Sequence, residues 1–387
     1  MEKFLLDLSV LLVFAAILSY FAVMLRQPII IAYIISGILI GPWGWGFIKN
    51  VEFIEMVSHL GITLLLFLVG LCLHPQKLLS LFKKTTIVTL GSSLASFLIG
   101  FSFALVWRFS MIESVCIGFT LMFSSTILAV KLLPTTKLHH GKMGASCIGV
   151  LIMQDLLAVS VLAFIRCFNS PDGATFNFFI LSFKLVVFIG ALFLVEYFVI
   201  RKIMTYVDRL HEALFVLGLA WCFGIASISN SMGLFFETGA FFAGVVLASH
   251  PIALFISEKL KPLRDFFLVL FFFTLGAKLN FFIMKGILIP ALLLAGILIW
   301  GKPWIFKKLF MLSGEEASFA KEAGVRLGQL SEFSLLIAIL AFDLGHISER
   351  ASQFIQFVTI ITFIVSSYWV VFNYPTPIGT SEKLIKD

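Results

Sequence analysis

Charged residues are scarce in this chain of 387 amino acids. Asp, Glu, Lys and Arg make up 13% of the sequence, whereas hydrophobic residues make up 60% and the mean hydropathy is +1.08. A soluble domain is about a quarter charged. Because so few charges cannot cover the surface of a water-soluble fold, we expect lipid to be the solvent for much of the molecule.

Sequence motifs for catalysis and metal binding are missing as well. There is no CxxC pair, HExxH, glycine-rich phosphate loop or nucleophile elbow. The cysteines stand singly in or near apolar runs, which is typical of packing residues: Cys72, Cys116, Cys147, Cys167 and Cys222. The pattern predicts a protein that is not an enzyme and needs no cofactor. We interpret the net charge of +7 as basic membrane-protein loops, not as a nucleic-acid surface.

Long apolar runs dominate what the sequence does contain. A spanning helix needs about 20 apolar residues, and the runs between charged, Gly or Pro breaks predict an all-α membrane protein with thirteen transmembrane helices. We expect them at 4–25, 29–47, 57–80, 85–107, 114–132, 145–168, 174–200, 211–230, 233–249, 264–282, 285–310, 318–342 and 350–373. The first run lacks a signal-peptide cleavage site and is kept as a span. The transmembrane domain is thus expected over 1–373, with a cytoplasmic linker over 374–387.

The loops alternate in positive charge along the chain. Eighteen Lys and Arg residues fall on one predicted side of the membrane and seven on the other. The side richer in Lys and Arg is expected to be cytoplasmic. An odd number of helices then places the N-terminus outside and the C-terminus inside the inner (plasma) membrane.

Weak sequence similarities recur at an offset of 206 residues. This offset places Gly70 on Gly276, Gly118 on Gly324 and Ser125 on Ser331, while the second predicted helix matches the ninth at an offset one longer. The pattern predicts a six-helix repeat over about 1–168, a linking helix over about 174–200 and a second repeat over about 211–373. Because the offset shifts by seven helices, the repeats are expected to be inverted, which is typical of secondary transporters.

The ionisable residue nearest the middle of a predicted span is Asp155, which follows Gln154 in the run LIMQDLLAV. A charge at this depth is costly and is a functional candidate by default. Competition between a proton and a cation for one carboxylate is sufficient for antiport. The alternative interpretation is an Asp that only makes hydrogen bonds between helices.

Two further polar clusters and one lysine interrupt apolar runs. The hydroxyls of Ser124, Ser125 and Thr126 can loosen a helix and offer its carbonyls to a cation, or they can serve as small packing residues. The offset pairs the second cluster with the first: Arg326, Gln329, Ser331 and Glu332. Gln329 and Glu332 share one helical face, to which Arg326 can add, and the alternative is an internal structural pair. Lys302 is expected either to support the core or to extend its ammonium group to the interface.

These residues lie in stretches that resemble the Kef potassium–proton antiporters of the cation:proton antiporter-2 family. The stretches are GILIGPWGWGF (37–47), LLLFLVGLCLHPQKL (64–78), SSTILAVKLL (124–133), LIMQDLLAV (151–159), ETGAFFAGVVLAS (237–249), GQLSEFSLLI (328–337) and the tail from 373. The resemblance implies the sodium/proton antiporter fold, in which two broken helices cross in the core. It places Ser124–Thr126 and Gln329–Glu332 at that crossing, Asp155 as the ion-binding carboxylate and Lys302 as the core lysine.

The resemblance also implies a mechanism and partners. An elevator-like movement would expose Asp155 to each side in turn, in a homodimer surrounded by membrane lipid. Because Gln154 is neutral where electrogenic relatives carry a second acid, the exchange is expected to be electroneutral, one K⁺ for one H⁺. A cytosolic nucleotide-binding regulator, as a further domain or a separate subunit, is expected from the family. Glutathione gating is not expected, because the loop HPIALFISEKLKPLRD is basic rather than acidic.

Three other functions stay open at this point. They are sodium–proton antiport, a gated cation channel and a membrane sensor that does not transport.

Overall fold

The computed structural model describes residues 2–25, 27–49, 52–71, 75–133, 142–167, 174–200, 202, 211–234, 236–248, 250 and 252–376. The elements in these residues are helices. Their bounds are α1 Glu2–Met24, α2 Ile29–Ile40, α3 Glu52–Leu71, α4 Pro75–Val106, α5 Met111–Leu121, α6 Thr126–Lys131, α7 Lys142–Cys167, α8 Ala174–Val195 (followed by a π-helical turn over Glu196–Ile200), α9 His211–Ser231, α10 Phe236–Leu247, α11 Ile252–Ala277, α12 Phe281–Leu312, α13 Ala317–Arg326, α14 Glu332–Asp343 and α15 Glu349–Asn373.

The helices follow the thirteen predicted spans, with corrections to their bounds. The boundary expected between residues 80 and 85 is wrong, because α4 already begins at Pro75 and continues through both Lys83 and Lys84. Helix α11 begins at Ile252, twelve residues before the expected start, and contains Pro262. The fifth and twelfth predicted spans are each two helices, α5 with α6 and α13 with α14.

By length and composition, seven of the described helices can cross a membrane: α1, α4, α7, α8, α9, α12 and α15. Shorter apolar helices cover Ile29–Ile40, His59–Leu68, Met111–Leu121 and Phe236–Leu247. The thirteen predicted spans therefore combine long helices with short, interrupted or more polar ones. Residues 377–387 of the expected linker, Cys72 and several loop cations used for orientation lie outside the described residues.

The expected repeat is visible in the helix bounds. Helices α4 and α12 are both 32 residues long, and both ends of α12 lie 206 positions after those of α4. Helices α2 and α10 are both 12 residues long and lie 207 positions apart. The two interrupted helices resume at Thr126 and Glu332, again 206 positions apart. These helix lengths and offsets agree with the predicted repeat, whose bounds stay a prediction.

The chain divides into two compact units, each of which draws helices from both repeats. The first unit contains residues of 1–49, 80–162 and 275–387, and the second contains residues of 50–79 and 163–274. In the second unit α3 and α10 approach closely at Gly70 and Gly244, where an added Cβ on Gly244 would lie 2.1 Å from the carbonyl oxygen of Phe67. The buried indole of Trp221 donates to the carbonyl oxygen of Ala243 at 3.0 Å. All of the predicted site residues belong to the first unit.

Candidate functional site

Two interruptions of helical backbone form the centre of the first unit. The first break (residues 122–125) separates α5 from α6, and the second break (residues 327–331) separates α13 from α14. A serine ends each break and caps the helix that follows: Ser125 Oγ accepts from the amide of Leu128 at 3.1 Å, and Ser331 Oγ accepts from the amide of Phe333 at 3.1 Å. Serine is a preferred N-cap because its side chain satisfies a free amide at the helix start. The serines matched by the repeat therefore perform the same local task.

The two breaks are in direct contact. Ser124 Oγ donates to the carbonyl oxygen of Leu327 at 2.7 Å, and Gln329 Nε2 reaches the carbonyl oxygen of Ser125 at 3.5 Å. One helical turn away, the hydroxyl of Ser334 on α14 donates to the carbonyl oxygen of Thr120 on α5. These contacts satisfy carbonyls that the interruptions expose. The crossing that the sequence suggested is thus present, with buried side chains at its centre.

Lys302 on α12 supplies the positive charge at this crossing. Its side chain is 1% exposed. Its Nζ donates to the carbonyl oxygens of Phe123 at 2.8 Å, Leu121 at 3.3 Å and Gln329 at 3.4 Å. An ammonium group at the C-terminal end of α5 also lies favourably in the helix dipole. Of the two alternatives, the structure favours the core over the interface, and the partners of Lys302 are backbone carbonyls of both breaks.

Gln154 on α7 joins its own helix to the first break. Its Oε1 accepts from the amide of Ser124 at 3.0 Å, and its Nε2 donates to the carbonyl oxygen of Met122 at 3.1 Å. The side chain is fully buried. An amide can donate and accept at once, whereas an ionised carboxylate only accepts. The residue type therefore fits the two backbone groups that it faces.

Asp155, the next residue on α7, lies beside the start of α6. Thr126 is the first residue of α6, and its hydroxyl lies 3.2 Å from Oδ2 and 3.4 Å from Oδ1 of the carboxylate. Asp155 is 1% exposed and Glu332, the first residue of α14, is 4% exposed. Carboxylate and hydroxyl oxygens, such as those of Asp155 and Thr126, can hold either a proton or a small cation.

Arg326 does not contribute to the expected seam with Gln329 and Glu332. Its guanidinium bonds to the carboxylate of Glu322 and to the carbonyl oxygens of Leu132 and Pro375, each Nη contact being 2.8 Å. Because these partners lie away from the breaks, Arg326 does not add to the face that Gln329 and Glu332 share.

Three contributors to the crossing were not singled out from the sequence. They are Thr120, Ser334 and Thr362, whose Oγ1 accepts from the amide of Leu330 at 3.3 Å. Serines and threonines are common in apolar helices, so their type alone gives no signal. Ser334 lies three residues after the predicted Ser331, and that spacing is the one local indication of a capping pair.

Comparison with known proteins places this geometry in a family. A family model described as the transmembrane part of sodium/hydrogen exchangers matches residues 10–372. The iron transporter MagA of Paramagnetospirillum magneticum is 28% identical over 374 residues, which are 93% of this chain and 85% of MagA. The glutathione-regulated potassium-efflux protein KefC of Cronobacter sakazakii is 32% identical over 335 residues, 84% of this chain. The match covers 53% of KefC, so the chain spans about half the length of that relative.

A solved structure has the same fold. The sodium proton antiporter MjNhaP1 of Methanocaldococcus jannaschii superimposes with a TM-score of 0.72 at 16% sequence identity, over 94% of each chain. At this identity the similarity concerns the fold alone. The match of the family model to nearly the whole chain shows more: this protein belongs to the sodium/hydrogen exchanger family of multi-pass membrane cation/proton antiporters.

Proposed function

We propose that this protein exchanges potassium ions for protons at Asp155. The observation that carries the proposal is the placement of this carboxylate, which is buried at the start of α6 with the Thr126 hydroxyl near both of its oxygens. A proton and a cation compete for such a group, and each ion is carried only when the other has left. The KefC relatives, at about 30% identity, favour potassium. Sodium is the second candidate, because the fold is that of a sodium proton antiporter.

The proposed exchange is electroneutral. Gln154 is neutral and bonds to the backbone of the first break, while the charge of Lys302 is directed at three carbonyls and not at a carboxylate. One titrating carboxylate then carries one proton or one monovalent cation. In this scheme Asp155 is the shared ligand, and the Thr126 hydroxyl is a second oxygen ligand beside it. Gln154, Lys302, Gln329 and Ser331 hold the crossing.

Several expectations remain part of this proposal. They are elevator-like alternating access, a homodimer, an external N-terminus with a cytoplasmic segment from residue 374, and a nucleotide-binding regulator. The proposed role of Glu332 is electrostatic, because it is a second buried carboxylate of the first unit, at the start of α14. Replacing Glu332 by Gln should therefore shift the pH dependence of exchange without abolishing it.

The proposal is tested in proteoliposomes that enclose a pH dye. Potassium, sodium or ferrous ions are added to wild type and to Asp155→Asn, with Asp265→Asn as the matched control because Asp265 is 51% exposed and pairs with Arg264. Potassium should dissipate the pH gradient in wild type and in the control but not in Asp155→Asn. Exchange by Asp155→Asn at the wild-type rate would refute the assignment.

Charge movement distinguishes the remaining alternatives. Electroneutral exchange produces a pH change without current on a solid-supported membrane. A gated channel produces current without coupled proton movement, and a sensor that does not transport leaves the dye unchanged for every ion. If only sodium or only ferrous ion dissipates the gradient, the assignment of potassium is wrong while the exchange site stands.

A further inference from the structure

Arg326 is a fully buried arginine at the last residue of α13, and its contacts join three separate parts of the first unit. Its side chain is 1% exposed. Within α13, Nε and Nη2 both donate to Glu322 Oε1, at 3.0 and 2.8 Å. Its Nη1 donates to the carbonyl oxygen of Leu132, immediately after α6, at 2.8 Å. Its Nη2 donates to the carbonyl oxygen of Pro375, after α15, at 2.8 Å.

The residues that follow α15 pack against the first unit, and their burial increases from half-buried Tyr374 and Pro375 to buried Thr376. We define Tyr374, Pro375 and Thr376 as the C-terminal strap. The guanidinium carbon of Arg326 lies 5.8 Å from the centre of the Tyr374 ring, and Thr376 is fully buried. A segment with a buried residue and a charge-assisted hydrogen bond has a defined position.

Both helices that Arg326 joins to the strap lead directly to the ion site. Helix α6 has six residues, begins at Thr126 beside Asp155 and ends just before Leu132. Arg326 itself is followed at once by the second break, whose Gln329 contacts Lys302 and Ser125. Only α6 therefore lies between the Arg326 contact at Leu132 and the first break, and the second break begins directly after Arg326. A movement of the strap can reach both breaks over these short distances.

We propose that Arg326 is a positioning residue through which the C-terminal strap sets the rate of ion exchange. This inference rests on the proposed exchange function. The guanidinium provides donors in a fixed planar fork, so its contacts with α6, α13 and the strap are geometrically linked. If the strap moves, either Arg326 follows and shifts Leu132, or a buried carbonyl loses its donor. A regulator that acts on the chain after α15 would thereby change how readily the site reorganises, without touching the cation.

The structural link is tested without any transport assay. Two glycines are inserted between Tyr374 and Pro375, and the control carries the same two glycines after Glu382, beyond the strap. Amide hydrogen exchange of residues 126–132 and 317–326 should accelerate about tenfold in the first variant relative to the control, because those residues lose a fixed neighbour. Equal exchange in the two variants would overturn the proposal. This result is decisive even if the protein transports no ion, so it is separable from failure of the exchange function.

The functional consequence is tested by a double-mutant cycle in proteoliposomes. Arg326→Lys and the strap insertion should each lower the maximal exchange rate about five- to tenfold, with the KM for potassium unchanged within about twofold. Their combination should be no slower than the slower single variant, because both break one link. Multiplicative losses would show that Arg326 and the strap act independently, which refutes the proposal. Wild-type rates for Arg326→Lys would refute it as well, because lysine keeps the charge but not the fork.

Discussion

Replacement of Lys302 by methionine tests how much the crossing depends on one buried ammonium group. Methionine has a similar volume and flexibility but donates no hydrogen bond. The substitution removes the donor to three carbonyl oxygens: Phe123 in the first break, Gln329 in the second break and Leu121 at the end of α5. The expected result is a folded but markedly less stable protein.

The size of the effect follows from the three distances. A buried carbonyl that loses its donor costs about 1–3 kcal/mol. The contact at 2.8 Å counts in full, whereas the contacts at 3.3 and 3.4 Å are longer and count for about half each. The sum is roughly 2–6 kcal/mol, and relief from burying the ammonium group reduces it to about 1–4 kcal/mol. This is a large share of a net stability of about 5–15 kcal/mol.

The assay is thermal unfolding of the purified protein in detergent, at matched protein and detergent concentrations. We expect the apparent Tm of Lys302→Met to fall by about 1–5 °C, because the unfolding entropy of a chain of this length is large. Lys308→Met is the matched control, because Lys308 lies on the same helix with an exposed side chain over the ring of Trp304. Lys302→Gln, which retains a neutral donor, should lie between Lys302→Met and wild type. If the apparent Tm of Lys302→Met equals that of wild type, or is no lower than that of Lys308→Met, the carbonyl contacts do not stabilise the crossing and the reasoning is refuted.

Three further predictions concern the ion ligand, the first break and the packing of the second unit. Thr126→Val should raise the KM for potassium about three- to tenfold in proteoliposomes, because Asp155 loses its nearby hydroxyl. Gln154→Leu should destabilise the protein by about 2–4 kcal/mol in thermal unfolding, because the amide of Ser124 and a neighbouring carbonyl lose their buried partner. Gly244→Val should lower the apparent Tm by several degrees, because the added side chain would overlap the backbone of α3.

Each of these predictions has its own control. Thr126→Ser keeps the hydroxyl, so it should retain the wild-type KM, and a KM as high as that of Thr126→Val would contradict the assignment. Gln154→Glu keeps an acceptor for the amide of Ser124. It should therefore lower the stability in thermal unfolding less than Gln154→Leu does. Gly224→Val introduces the same side chain where no atom lies within 4 Å of the added Cβ. Equal Tm changes at Gly224 and Gly244 would show that close helix packing is not the cause.

Much of the fold could be predicted from the sequence because lipid imposes a simple rule. A segment that crosses hydrocarbon must be apolar and must satisfy its backbone internally, so each long apolar run becomes a helix. The repeat is also visible in the sequence at a nearly constant offset. This offset predicted that Ser125 and Ser331 hold equivalent positions. The bounds predicted near residues 80 and 264 were wrong because polar and charged residues, such as Lys83 and Lys84, continue helices beyond their apolar parts.

The hydrogen-bond partners of the buried polar side chains could not be predicted from the sequence. Gln154 and Asp155 are neighbours on α7, but one bonds to the backbone of the first break and the other lies beside Thr126. Spacing along a helix indicates which residues share a face, and it does not show which backbone groups from another element meet that face. For this reason the expected link between Arg326 and Gln329 was not found, and Arg326 instead contacts residues 194 and 49 positions away in the chain.

The sequence by itself determined an all-α membrane protein with a repeated helix order, two polar interruptions and one carboxylate in the middle of a span. These features depend on local composition, on periodicity and on the high cost of burying a charge in lipid. Only the tertiary structure decided that the interruptions face each other, that Lys302 binds their carbonyls and that Arg326 ties the end of α15 to both. The physical reason is that a buried donor is satisfied by whichever acceptor the packing brings within reach, and packing between distant segments is a property of the whole fold.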